Sequence, residues 1–160
     1  MSAPDPVLVI AVGNPSRGDD ALGPRLAERL VAAALPGVEV LCDFQLQVEH
    51  ALDLEGRDRV VFVDAGAGTQ APYELRRVVM GEDWRHTSHS LSPEAVLATW
   101  ARLRLDPPPP CWVLCVRGER FGLGENLSDA AQGYLEAAWP VLAGLVAGTA
   151  GDAPQRCAGS

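Results

Sequence analysis

The sequence predicts a three-layer α/β sandwich: a mostly parallel, twisted sheet of about five strands with helices on both faces. Two observations predict it. Apolar, largely β-branched runs recur at Val7–Gly13, Val60–Val63 and Cys111–Val116, as expected of strands buried on both faces. Stretches with apolar residues at helical spacing separate them, and strand–helix alternation implies parallel pairing through crossover connections.

Each element follows in order. The Val7–Gly13 run is the first strand. Leu22, Leu26 and Leu30 recur every four residues, Ala33 and Ala34 extend the stripe, and Pro36-Gly37 closes that helix. Val38–Leu41 reads as a second short strand, and Leu46–Leu54 as a short helix stopped by Gly56. Val60–Val63 is a third strand, ending on Asp64. Tyr73–Met80 alternates less cleanly, and its adjacent Arg76 and Arg77 suit a strand towards a sheet edge. Ser92-Pro93-Glu94 opens a helix reaching about Leu103: a Ser cap, Pro at the first helical position, and an acid near the positive end of the dipole. Pro107–Pro110 form a stiff spacer. Cys111–Val116 is the next buried strand. Ser128 caps a last helix with Leu135, Ala138, Leu142 and Leu145 inward, and Pro140 is expected to kink it. Residues 1–148 are expected to form a single domain, and 149–160, rich in Gly and Ala, a disordered tail.

Composition narrows the function. The 160 residues suit one domain able to bury about 70% of its extended-chain surface. With 13 Lys+Arg against 21 Asp+Glu, the net charge of −8 opposes nucleic-acid binding, which needs a basic face. No apolar run approaches the ~20 residues that span a bilayer. Met1–Pro6 carries no basic stretch before the first apolar run, so no secretory signal is expected. Cys111 and Cys115, four apart on one strand, would lie about 13 Å apart, too far for one disulfide. Together with Cys42 and Cys157 they read as reduced thiols of a cytoplasmic protein.

A parallel sheet gathers the carboxyl ends of its strands along one edge, where ligands bind. The loops after Gly13, Leu41 and Val63 are therefore the places to look. Gly13-Asn14-Pro15-Ser16-Arg17-Gly18-Asp19-Asp20 lacks both phosphate-loop spacings, and its paired carboxylates suit a cation better than a phosphate. Asp19 and Asp20 could equally cap the helix that follows. Asp64 leads into Ala65-Gly66-Ala67-Gly68, whose small residues leave space for a ligand; its alternative role is bonding loop amides. Of the histidines, His89 in Thr87-Ser88-His89-Ser90 precedes a helix start above the same edge. His86 is a lesser candidate, and His50 reads as a packing or surface residue within its helix. One imidazole and two carboxylates can hold a divalent transition metal with positions open for substrate or water, polarising a carbonyl or acidifying bound water. There is no G-x-S-x-G elbow and no HExxH. A Mg²⁺-dependent phosphohydrolase using Asp19, Asp20 and Asp64 is one alternative, and a module that binds without cutting is another.

Three segments resemble a known family. GNPSRGDDALG after the first strand, VFVDAG on an inner strand and TSHSLSP before a helix are similar to motifs of the hydrogenase maturation proteases, in the same order and approximate spacing. The resemblance runs from about Val7 to Leu145. It implies a cytoplasmic endopeptidase that removes a C-terminal peptide from the large-subunit precursor of a [NiFe] hydrogenase after nickel insertion; a monomer is expected separately, from the lack of an obvious coiled coil or large exposed apolar stripe in the sequence. It also implies that Asp20, Asp64 and His89 are the catalytic and metal-contacting set. The nickel would arrive in the precursor, and cadmium or zinc could replace it in crystals. Asn14, Asp43 and Gln45 would contact substrate. Phe44-Gln45-Leu46 stands where some members carry a Gly-Gly-Thr-like segment, and Gln45, Glu49 and His50 would serve recognition in a subgroup.

Overall fold

The computed structural model describes residues 3–79, 91–104 and 107–148. Strands β1 (Val7–Val12), β2 (Val38–Asp43), β3 (Arg59–Gly66), β4 (Tyr73–Arg77) and β5 (Cys111–Arg117) form one sheet in the order β2-β1-β3-β5-β4. The first four in that order are mutually parallel, and β4 lies antiparallel to β5 at an edge, as the paired arginines predicted. Helices α1 (Leu22–Ala33), α2 (Pro93–Arg104) and α3 (Asp129–Val146) complete the fold, with 3-10 turns at Gly18–Ala21 and Val48–Leu54.

The period-two alternation of each strand sorts the core into two layers. Val9, Ala11, Val61, Val63, Leu114 and Val116 face α1 and α3, meeting Leu22, Leu26, Leu30, Leu135, Ala138, Leu142 and Leu145. Leu8, Ile10, Val60, Phe62 and Val113 face the opposite way, onto Leu46, Ala51 and Leu54 and onto Val96, Leu97 and Trp100 of α2. Helices therefore cover both faces. No helix among the described residues is long and apolar enough to cross a membrane.

One row of side chains runs across the sheet from Ala11 through Val63 and Leu114 to Leu75. Leu114 is fully buried in the middle of it. Leu114→Ala leaves a cavity under α3 that flanking strands cannot close. It is expected to cost about 3 kcal/mol, read as a lower urea midpoint at unchanged slope.

Several expectations shift in detail. Ala33 and Ala34 are exposed: Ala34 takes a left-handed conformation (φ 52) and ends α1, so the buried stripe stops at Leu30. β2 runs on to Asp43, and β3 runs past Val63 to Gly66 because Asp64, Ala65 and Gly66 pair in register with Cys115, Val116 and Arg117. Asp64 thus lies within a strand and not beyond its end. Pro140 stands on the exposed side of α3, which is assigned as one unbroken helix. Ser92 and Ser128 both cap as expected, their hydroxyls accepting from Ala95 and Ala131 N–H at 3.1 Å each. Cys42, Cys111 and Cys115 are free thiols. The predicted tail 149–160, with Cys157, lies outside the described residues, as do His86 and His89.

Candidate active site

The site is built from the carboxyl ends of β1, β2 and β3. β1 leaves the sheet at Gly13, whose φ of +145° is a conformation side-chain-bearing residues avoid. A Cβ there would sit 2.0 Å from the Asp20 carbonyl oxygen, so only glycine lets the Gly18–Ala21 turn settle against the strand end. The Asn14 N–H donates to Asp20 Oδ2 at 2.7 Å, and Asn14 Oδ1 accepts from Ser16 N–H at 2.9 Å. This Asx turn fixes the loop, and the loop amide fixes the Asp20 carboxylate.

The same turn packs on β3, which carries Asp64. Burial pushes the Asp64 carboxyl up to about 6; a hydrogen bond from Ala65 N–H at 2.7 Å opposes that rise, and the negative charge of Asp20 adds to it. The structure therefore brings Asp20 and Asp64 together, each with one oxygen already bonded to a backbone amide. Of the two roles expected of Asp64, the amide acceptor is the one visible in its hydrogen bonding.

Asp64 shares the α2-facing side of β3 with Phe62, and it opens into a cavity of about 210 Å³. Val12, Leu46, Phe62 and Val113 form apolar walls; Thr69, Glu74, Arg76 and Cys115 supply polar groups, and Pro93 of α2 closes one side. Cys115 Sγ lies 3.0 Å from Thr69 Oγ1, and burial holds its thiol above the ordinary range. Arg76 is ion-paired with Glu94 of α2.

Asp19 plays a different part from its neighbour. It is wholly buried, its carboxylate accepts from Glu119, Arg120 and Ser128, and it contributes no cap to α1. Burial alone would raise its pKa, but these bonds outweigh burial and hold it below the ordinary value.

The remaining expected residues divide. Asp43, at the end of β2, is tied to the same corner: its carbonyl accepts from Gly13 N–H at 3.0 Å, and its Oδ1 accepts from Phe44 N–H at 2.8 Å. Gln45 is exposed. His50 is buried to 7% exposure, more enclosed than a surface position implies. Its Nδ1 accepts from Gln47 N–H at 2.8 Å, which leaves Nε2 to carry the proton, 3.6 Å from Asp43 Oδ2. No sequence spacing signalled that pair, because the two residues belong to different elements. Thr69 and Cys115 were likewise missed as cavity residues; strand parity put Cys115 on one face with Cys111 without showing that it stands beside Asp64. Among the described residues no group of three His, Cys, Asp or Glu side chains could hold a metal ion. The donors at hand are the two carboxylates.

The fold is similar to that of structures solved as hydrogenase maturation proteases. HybD, the hydrogenase maturating endopeptidase of Escherichia coli, matches with a TM-score of 0.69 at 24% identity, over 89% of this chain and 93% of its own. HycI of Thermococcus kodakarensis KOD1, a [NiFe] hydrogenase maturation protease, matches with a TM-score of 0.66 at 23% identity, over 91% and 94%. The hydrogenase 2 maturation peptidase of Thaumarchaeota archaeon SCGC_AB-539-E09 gives 0.61 at 22%, over 85% and 94%. No family model and no curated protein matches the chain. At these identities the likeness establishes the fold.

Proposed function

We propose that this chain is an endopeptidase that removes a C-terminal peptide from the large-subunit precursor of a [NiFe] hydrogenase, acting as a cytoplasmic monomer. One observation carries the reading: in a fold shared with hydrogenase maturation proteases, Asp20 is held where its negative charge opposes the ionisation of Asp64. A divalent cation reverses that repulsion, so the pair is a natural receptor for a metal presented by a substrate. Nickel in the precursor is that metal, with His89 as the third donor. Position 89 is four residues before Pro93, which shares the cavity with Asp64. Four residues of extended chain reach at most about 14 Å.

In this reading the metal has two effects. Its attraction to the acids separates loaded from empty precursor, since the empty one lacks the favourable charge interaction. Near the scissile amide it polarises the carbonyl or acidifies a water. Asn14, whose amide bonds Asp20, Asp43 at the end of β2 and the exposed Gln45 just beyond it contact the precursor chain.

Intact-mass analysis after incubation with precursor tests the proposal. Nickel-loaded precursor should lose a C-terminal peptide, and nickel-free precursor should keep its mass. Asp20→Asn and His89→Ala should each slow trimming about 100-fold or more, the scale of a lost metal-ion contribution. A stable complex of unchanged mass would replace the protease by a binding module. Phosphate release from a generic ester with Mg²⁺ would replace it by a phosphohydrolase.

A further inference from the structure

We propose that Asp19 is a positioning residue for Asp20, locking the turn that carries Asp20 onto the connection between β5 and α3. The inference rests on the reading of Asp20 as a site acid given above. Asp19 is 0% exposed. Its Oδ2 accepts from Glu119 N–H at 2.7 Å, Arg120 N–H at 2.9 Å and the Ser128 hydroxyl at 2.7 Å, and its Oδ1 accepts from Ser128 N–H at 2.7 Å. Its own N–H donates to the Arg120 carbonyl at 2.6 Å. Two backbone bonds flank this centre: Gly18 N–H to Glu125 O at 3.1 Å, and Gly124 N–H to Ser16 O at 2.7 Å.

The fit leaves no slack. Gly18 has φ +57, and a Cβ there would lie 2.5 Å from the Arg120 carbonyl oxygen; a Cβ on Gly118 would lie 3.1 Å from Asp19 Cβ. On its other side the Asp20 main chain rests on Gly13. Asp20 is thus clamped between the end of β1 and the β5–α3 connection, and Asp19 supplies the second jaw.

The chemistry demands a carboxylate. All four of its hydrogen-bond partners donate, so both oxygens must accept. Asparagine has the same shape, but with its oxygen in the Oδ2 place its amide N–H would face Ser128 N–H, donor against donor. Releasing the brace lets the turn move and carries Asp20 away from its geometry with Asp64. A displacement of about 1 Å at such a centre costs about 100-fold in rate.

The experiment compares Asp19→Asn, Ser128→Ala and Asp20→Asn by precursor trimming and by amide NMR. The Asn14 N–H reports the Asp20 carboxylate directly, independently of activity. Asp19→Asn should lower kcat about 10- to 100-fold with KM within about twofold, and should shift the Asn14 amide resonance. Should Asp19→Asn fail to fold, Ser128→Ala, which removes one brace bond, should give a smaller change in the same two readouts. A folded variant with parental kcat or an unmoved Asn14 resonance overturns the brace. Asp20→Asn should abolish trimming while leaving the Glu119, Arg120 and Ser128 amides in place. Full trimming by Asp20→Asn overturns the site reading instead, and the Asn14 resonance in Asp19→Asn still reports on the brace.

Discussion

Asp64→Asn should withstand more urea than the parent at pH 7.5 and fail to trim the precursor. The two effects have one origin. Burial and the neighbouring Asp20 raise the Asp64 carboxyl from 3.8 to about 6 in the folded chain. The folded state therefore binds this proton more tightly than the unfolded state does. Stability contributed by the protonated form is complete below about pH 4 and is lost as pH rises through about 6. Above that, the ionised carboxylate costs up to about 3 kcal/mol, reduced by whatever solvent reaches the partly exposed group. Asparagine keeps the shape and the Ala65 bond without the charge, so it should recover about 1–3 kcal/mol at pH 7.5 and almost nothing at pH 4. Urea titrations at the two values decide it: a gain that does not change with pH contradicts the electrostatic account. Loss of trimming in a more stable protein would mark the acid as a group kept for chemistry at the expense of the fold.

The second large effect is expected at Gly13. Gly13→Ala places a methyl 2.0 Å from the Asp20 carbonyl oxygen and 3.2 Å from Pro24 Cδ, on a backbone with φ +145. The backbone strain alone is about 1–3 kcal/mol. The overlap cannot be relieved by rotating a side chain, because the obstacle is main chain. The Gly18–Ala21 turn must lift, and Asp20 with it. Trimming should fall about 100-fold or more, beyond what the loss of folded protein explains. Thermal unfolding alongside kcat on the folded fraction separates the two. A variant whose activity loss merely tracks its unfolded fraction would remove Gly13 from any role in placing Asp20.

The layered fold was legible because strands buried on both faces leave uninterrupted apolar runs and helices leave a four-residue rhythm. β1, β5 and the inner face of α3 were plain for that reason. The end of β3 was not, because Asp64-Ala65-Gly66 has the composition of a turn, and its strand character comes only from pairing with Cys115–Arg117. The end of α1 was misjudged because Ala34 closes it in a conformation that composition assigns to glycine. At the site, Asp20 and Asp64 could be placed from their loops, yet Asp19 and Asp20 looked interchangeable. Adjacent acids in a tight turn face different neighbours, and the neighbours of Asp19 lie about a hundred residues away. The Asp43–His50 contact escaped notice for a similar reason, since burial of the ring depends on how the Val48–Leu54 turn sits beneath the sheet end.

The distance in sequence between Asp19 and its partners, 100 to 109 positions, has a consequence for biosynthesis. Chains are made from the amino terminus, and Asp20 leaves the ribosome long before Ser128 exists. Until that serine emerges and the long loop closes, a step that non-local contacts make slow, the acidic pair of a half-made chain has no fixed geometry. The brace on Asp20 is therefore complete only once the last third of the polypeptide has emerged.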